Sequence, residues 1–116
     1  MSDIKDLTKQ FVDFRNERDW KQFHNPKDLA LSLVLESSEV LEHFQWKNSD
    51  EIEKYIVEHR DDIGEELADV LFWVLLMSFD LNIDIVEAVK LKMEKNGLKY
   101  PISKAKGNHT KYSKLE

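Results

Sequence analysis

The sequence predicts an all-α protein, a four-helix bundle with an extended C-terminal tail that assembles as a helical oligomer. Its 116 residues include only three glycines and two prolines, so few positions interrupt regular structure. Apolar residues recur at steps of three and four, which is the spacing of one helical face. At this length one hydrophobic core is expected, and residues 1–116 are predicted to form a single domain.

The first two helices are predicted over residues 4–20 and 26–46. An apolar stripe gives the first helix one face to bury. The stripe consists of Ile4, Leu7, Phe11, Phe14 and Arg18. Asn25 can cap the free N–H groups that open the second helix, and Pro26 has no N–H of its own to leave unpaired there.

The third helix is predicted over residues 50–80, with acidic residues placed at the positive end of the helix dipole. Gly64 lies inside it, where a glycine costs about 1 kcal/mol relative to alanine. Either a break or a kink between residues 59 and 64 fits this pattern. The stretch 67–81 is apolar on all sides, which indicates that an oligomer covers it.

The fourth helix is predicted over residues 84–96, ending at Gly97 as a C′ glycine would end it. Residues 98–116 lack sustained periodicity, so they are predicted to form an extended tail. The tail holds five lysines and one acid, while the other 97 residues hold 12 basic and 22 acidic residues. This acidic body disfavours binding of duplex nucleic acid and suits the binding of cations.

Several kinds of site are excluded because the chain contains no cysteine. Disulfides, zinc–thiolate sites, iron–sulfur clusters and thiol catalysis all need thiols, and their absence fits a reducing compartment. The first six residues are too polar for a signal peptide, and the longest apolar run, 70–77, is far shorter than the ~20 residues that cross a bilayer. A cytoplasmic protein without a membrane partner is expected.

Two pairs of acidic residues interrupt the apolar faces of the second and third helices. Glu36 with Glu39, and Glu66 with Asp69, are spaced i, i+3, so each pair lies on one helical face. Burying ionised carboxylates without a partner is costly, so a cation such as Mg²⁺ or Mn²⁺ between the two helices would resolve the arrangement. The alternative is that these acids belong to the solvated surface, where most carboxylates lie.

Together with several other segments, these pairs resemble the MazG-like nucleoside triphosphate pyrophosphohydrolases, in which a Glu-x-x-Glu helix precedes a Glu-x-x-Asp helix. The resemblance is to the dCTP pyrophosphatase branch and covers roughly residues 7–115. It is carried further by residues 17–24 (ERDWKQFH), 44–47 (FQWK), 65–71 (EELADVL), 92–96 (KMEKN) and 99–101 (KYP). The resemblance implies a MazG-like bundle assembled as a homodimer or homotetramer with shared sites.

The resemblance also implies an activity. It implies that a (deoxy)nucleoside triphosphate, dCTP-like by preference, is hydrolysed between its α and β phosphates to a monophosphate and pyrophosphate. Such an enzyme would remove surplus or non-standard nucleotides. The ligands of Mg²⁺ would be Glu36, Glu39, Glu66 and Asp69. Either Glu39, which we favour, or Glu36 would orient or deprotonate the attacking water.

The resemblance further implies a base pocket and a set of phosphate and sugar contacts. The pocket would comprise Phe11, Trp20, His24, Trp46 and Trp73, since flat rings stack on a base and histidine supplies a polar edge. Core packing is the alternative for each tryptophan, most of all for Trp73. The other contacts would come from Lys92, Asn96, Lys99 and Tyr100, and Lys104, Lys106 and Lys111 could close over the phosphates or dock on a neighbouring subunit. These lysines could instead be solvated charges.

Two other functions remain open on the sequence alone. A non-catalytic helical oligomer could bind a nucleotide or a protein partner through the same apolar faces. A nucleic-acid binder could use the basic tail, and its binding would then depend steeply on salt. Four carboxylates on inward faces favour the enzyme over the first alternative, and the acidic body disfavours the second.

Overall fold

The computed structural model of the protein describes residues 3–115, and within them it is helical with no strand, which confirms the all-α class. The four predicted helices are present, followed by a fifth of one turn. They are α1 (Asp3–Glu17), α2 (Pro26–Glu42), α3 (Ser49–Asp80), α4 (Ile85–Lys99) and α5 (Ile102–Ala105). Two 3₁₀ turns, Lys21–Phe23 and Tyr112–Lys114, complete the structure. No helix in residues 3–115 is long and apolar enough to cross a membrane.

The chain divides into two compact units between Ile83 and Asp84. In the first unit α1 and α2 both pack against α3. The centre of this packing is formed by Leu29, Leu75 and Leu76, each at most 1% exposed. Two of these three leucines lie in the very apolar second half of α3, which is therefore the element around which α1 and α2 assemble.

Helix α1 ends at Glu17, three residues before its predicted end. Asp19 adopts a φ of 54°, in the left-handed region, and this conformation stops the helix. The Trp20 N–H then donates to the Arg15 carbonyl at 3.1 Å, which closes the turn before the 3₁₀ segment. The early end follows from the backbone conformation of an aspartate, a residue type that tolerates this region.

The stripe predicted for α1 is wrong at its last position. Arg18 is exposed, with its guanidinium 3.6 Å from the centre of the Phe14 ring. Arg15 is buried instead, and its two terminal nitrogens donate to the two oxygens of Asp80 at 2.8 Å each. This forked pair ties α1 to the last residue of α3, because a guanidinium matches a carboxylate in both shape and charge.

Helix α2 begins as predicted, with the Asn25 side chain accepting from the Asp28 N–H at 2.8 Å. It ends at Glu42, four residues early, and Trp46 in the following turn has a φ of 71°. A capping box between Asn48 and Glu51 then opens α3.

Helix α3 spans Ser49–Asp80 and contains a kink, which is one of the two predicted alternatives. The kink is at His59, whose φ of −122° and ψ of 25° depart from helical values. Gly64 itself lies in regular helix. The glycine therefore marks the neighbourhood of the bend but does not produce it.

The second compact unit contains α4 and the tail. Gly97 does not end α4, which continues to Lys99; Pro101 keeps the residue before it, Tyr100, out of the helical region and so sets the boundary. The tail is less extended than predicted. Besides α5, it brings Tyr112 to within 6.1 Å of the Tyr100 ring, and the Lys99 ammonium lies 4.7 Å from the centre of the Tyr112 ring.

Candidate functional site

Three carboxylates from two helices meet in the first compact unit. Oxygens of Glu36, Glu39 and Glu66 lie within 4.8 Å of one another. The i, i+3 spacing puts Glu36 and Glu39 on one face of α2, and the packing of α2 on α3 brings Glu66 opposite them. Two oxygens bound to the same Mg²⁺ at about 2.1 Å can be at most about 4.2 Å apart. Small side-chain movements would therefore let all three carboxylates hold one cation.

The donor set of this acidic cluster, Glu36, Glu39 and Glu66, also suits a hard cation. Glu36 and Glu66 are half-buried, and within residues 3–115 the Oε2 atom of each is buried without a hydrogen-bond partner. A buried acceptor that meets no donor is destabilising. A divalent cation would satisfy these oxygens and offset the mutual repulsion of the three carboxylates.

The proximity of the carboxylates changes their acidity. Hydrogen bonding with the Glu39 carboxyl, burial, and the charges of Glu39, Glu36 and Asp69 raise the pKa of Glu66 to about 7. Burial, followed by hydrogen bonding and charge from Glu39 and the charge of Asp69, also raises the pKa of Glu36, and the Trp73 side chain opposes this in part. Without a cation the acidic cluster therefore retains a proton near neutral pH, and a cation would displace it.

Asp69, the fourth predicted ligand, lies beside the acidic cluster rather than in it. It is exposed, one turn after Glu66, and its charge acts on both Glu36 and Glu66. It also shares a cleft with Glu36. Among residues 3–115 the structure thus brings three of the four predicted ligands into contact range and places the fourth at their border.

That cleft has a volume of about 420 Å³ and combines aromatic rings with carboxylates. Its lining residues are Gln10, Phe11, Phe14, Glu36, Asp69, Phe72 and Trp73. The Phe72 ring packs edge-on against those of Phe11 and Trp73, with 5.0 Å between centres in both cases. Clefts of this size and character accommodate small organic ligands.

The predicted base pocket corresponds only in part to this aromatic cleft. Phe11 and Trp73 line it, so Trp73 is more than a core residue. His24 packs edge-on against Trp73 at 5.4 Å, and burial together with the charge of Arg15 lowers its pKa. Trp20 packs against Phe14 at 5.7 Å. His24 and Trp20 therefore contact residues of the wall without lining it.

The remaining predicted contacts lie elsewhere. Trp46 is 91% exposed in the turn after α2 and does not line the aromatic cleft. The phosphate and sugar candidates Lys92, Asn96 and Lys99 are on α4 and Tyr100 follows it, in the second compact unit. Lys99 contacts Tyr112 there, and Lys92 is exposed.

Three residues of the cleft, Gln10, Phe14 and Phe72, were not predicted as site residues from the sequence. A signal for two of them was present, since Phe14 follows Phe11 by three positions and Phe72 follows Asp69 by three. Side chains at this spacing lie on the same helical face. Including the residue three positions after each predicted site residue would therefore have identified Phe14 and Phe72. Gln10 has no comparable spacing to a predicted site residue on its N-terminal side.

Comparisons with known proteins agree with this geometry. The sequence matches the MazG-like family over residues 31–115, which include all four predicted ligands. It is 35% identical over 114 residues to dCTP pyrophosphatase 1 of Bos taurus and 36% identical to that of Mus musculus. These alignments span 97% of this chain and 68% and 67% of the respective relatives.

A solved structure extends the comparison to the fold. The crystal structure of a pyrophosphatase from Archaeoglobus fulgidus superposes with a TM-score of 0.82 at 40% identity. The superposition covers 87% of this chain and 94% of that one. On its sequence match, its curated relatives and this structural likeness, the chain belongs to the MazG-like family.

Proposed function

We propose that this protein is a Mg²⁺-dependent nucleoside triphosphate pyrophosphohydrolase. It would hydrolyse (deoxy)nucleoside triphosphates, dCTP-like ones by preference, to the monophosphate and pyrophosphate. Family membership and relatives named dCTP pyrophosphatase support a nucleotide pyrophosphatase activity. The observation that carries the proposal is the contact of an acidic cluster with an aromatic cleft, the two parts joined by Glu36.

The carboxylates of Glu36, Glu39, Glu66 and Asp69 would hold the metal. Mg²⁺, when bound, supplies positive charge to phosphate oxygens and acidifies a water, and Mn²⁺ could substitute for it. Glu39 would orient the attacking water and accept its proton, with Glu36 as the other candidate for this role. The water oxygen forms a bond to phosphorus while the α–β phosphoanhydride bond breaks, and pyrophosphate leaves.

The aromatic cleft would hold the base. Phe11, Phe72 and Trp73 offer flat surfaces for stacking. His24 and Trp20 would position two lining residues, because His24 packs against Trp73 and Trp20 packs against Phe14. Trp46 is proposed as a further base contact. Lys92, Asn96, Lys99 and Tyr100 are proposed as phosphate and sugar contacts on the family resemblance, and their charge and polarity are suitable.

A homodimer or homotetramer is also proposed. Four large apolar residues on one face of α2 are more than half exposed, and they are Leu31, Val34, Leu35 and Leu41. Contiguous exposed apolar surface of this kind marks an interface. A cytoplasmic location and a role in removing surplus nucleotides complete the proposal, since a chain without cysteine suits a reducing compartment.

The test is to incubate the purified protein with Mg²⁺ and a panel of nucleoside triphosphates and to identify the products. Monophosphate plus pyrophosphate is expected, and the activity should be lost in EDTA and in Glu39→Ala. Glu65→Ala is the matched control, because Glu65 is exposed and adjoins Glu66 outside the acidic cluster. A folded protein that binds Mg²⁺ but turns over no nucleotide would support the non-catalytic alternative instead.

A further inference from the structure

Gln10 is the one side chain in the lining of the aromatic cleft that can both donate and accept hydrogen bonds without titrating. The phenylalanines offer neither, the Trp73 indole only donates, and the carboxylates of Glu36 and Asp69 only accept when ionised. An amide therefore lies beside the aromatic rings. It is on α1, whereas Glu36 and Asp69 are on α2 and α3.

The position of Gln10 follows from helix geometry. It adjoins Phe11 and precedes Phe14 by one turn, and all three line the cleft from α1. The side chain is exposed, and within residues 3–115 it takes part in no hydrogen bond, whereas Lys9 and Asp13 beside it pair with each other at 2.7 Å. The Gln10 amide can therefore bind a ligand without first breaking a hydrogen bond within the described residues.

The rings and the carboxylates cannot by themselves select one base. Every nucleobase has a flat face, so stacking on Phe11, Phe72 or Trp73 is tolerant of base identity. The carboxylates of Glu36 and Asp69 belong to the proposed metal site. Discrimination needs hydrogen bonds to the polar edge of the ring, which a glutamine amide can supply through its carbonyl and its NH₂ group together.

We infer that Gln10 is a specificity-determining residue, which reads the polar edge of the base that the aromatic cleft holds. This inference rests on the proposed function and names the part of the site that selects the substrate. The amide accepts from a ring amino or N–H group and donates to a ring nitrogen or carbonyl. It acts on binding of the base rather than on the bond that is broken.

The test compares kcat and KM for dCTP, dUTP, dATP and dGTP in the wild type, Gln10→Leu and Gln10→Glu. Gln10→Leu should lower kcat/KM for the preferred nucleotide about tenfold, through KM rather than kcat, and should reduce the differences between bases. Gln10→Glu keeps only acceptors. It should therefore raise the ratio of kcat/KM for dCTP, whose ring bears an amino group, to that for dUTP by about threefold or more.

The matched control is Asn16→Leu, since Asn16 is an exposed amide on the same helix that does not line the cleft. It should leave kcat, KM and base preference unchanged. Thermal unfolding and Mg²⁺ titration without nucleotide should be the same for all four proteins. Binding of deoxycytidine and deoxyuridine, followed by tryptophan fluorescence, should weaken in Gln10→Leu, and Gln10→Glu should weaken deoxyuridine binding relative to deoxycytidine binding.

The outcomes separate this inference from the proposed function. An active wild type together with a Gln10→Leu variant of unchanged KM and base preference overturns the role of Gln10 and leaves the proposed activity standing. A fall in kcat at constant KM also overturns it, because the residue would then act on chemistry. A wild type that hydrolyses none of the four nucleotides overturns both.

Discussion

The first compact unit buries charge in two places and treats it in opposite ways. At one end of α3, Arg15 and Asp80 are 1% and 8% exposed and meet in a forked ion pair, so each charge has its partner within the chain. Near its middle, Glu66 faces Glu36 and Glu39 and all three have the same sign. The charges of the first arrangement are balanced as the chain folds, whereas those of the second would be balanced only by a cation.

The charges of the ion pair stabilise the fold, whereas those of the acidic cluster do not. A bidentate arginine–carboxylate pair fixes two helices in register and balances both charges, although among the described residues the Arg15 Nε is buried without a hydrogen-bond partner. A group of carboxylates with unpartnered buried oxygens lowers stability, and folding alone gives no reason for it. Sites that weaken a fold in this way are candidates for chemistry.

The largest expected effect is on turnover. Glu39→Gln should lower kcat by about 10²–10⁴-fold, because it removes a metal ligand and the preferred base for the water. The metal-free variant should nevertheless unfold at a higher temperature than the wild type, since one repelling charge is gone. Steady-state kinetics and differential scanning calorimetry measure the two effects. Loss of both activity and stability would mean that the acidic cluster is structural after all.

The next effect is on the ion pair. Arg15→Met should lower the free energy of unfolding by about 3–5 kcal/mol, because it leaves the Asp80 charge buried without its main partner. Urea denaturation measures this change. Replacing both partners, as in Arg15→Met with Asp80→Leu, should recover much of the loss. Arg18→Met is the control and should cost no more than about 1 kcal/mol, since its guanidinium stacks on Phe14 in solvent.

The two sites should also respond to pH with opposite sign. The folded pKa of Glu66, about 7, exceeds its ordinary value of 4.5, so the stability it contributes is present below pH 4.5 and is lost as the pH rises through 7. Hydrogen bonding to Arg15 holds the pKa of Asp80 below its ordinary 3.8 despite burial. Its contribution is therefore present above that value and is lost as the pH falls through its folded pKa.

Metal-free unfolding free energies measured over this pH range would test the contrast. Glu66→Gln should remove the decline between pH 4.5 and about 7, and Asp80→Asn should remove a separate decline on the acid side. If both variants flatten the same part of the curve, the two sites do not differ as described.

The smallest expected effect concerns the third member of the ion-pair network. The Lys21 ammonium lies 3.5 Å from Asp80, but its side chain is 54% exposed. Lys21→Met should therefore lower the free energy of unfolding by less than about 1 kcal/mol, as for other solvent-exposed pairs. A loss as large as that of Arg15→Met, measured in the same urea series, would show that Asp80 depends on both cations equally.

The sequence predicted the three members of the acidic cluster, together with Asp69, but not the ion pair. Glu36 and Glu39 share a face by spacing alone, and so do Glu66 and Asp69, so the meeting of α2 and α3 was the only further step. Arg15 and Arg18 are three positions apart on one helix, and periodicity cannot tell which is buried. Asp80, the partner that decides, is 65 residues away.

Helix ends were the other source of error in the prediction, and here the cause is local conformation. Asp19, two residues after α1, and Trp46, four residues after α2, take left-handed values, although neither is glycine. Gly97, the residue type that usually stops a helix, is passed by α4. Residue preferences for helix ends are statistical, whereas the actual end depends on the contacts that the following segment makes.

Trp46 combines a strained backbone conformation with an exposed side chain. At a φ of 71° an L-residue is disfavoured by about 1–2 kcal/mol, and an indole that is 91% exposed gains almost nothing from burial. Glycine at this position would relieve that strain, so the folding of this chain does not benefit from the tryptophan. The same exposure makes the indole an intrinsic optical probe, whose emission moves to shorter wavelength when a ligand or a second protein molecule covers it.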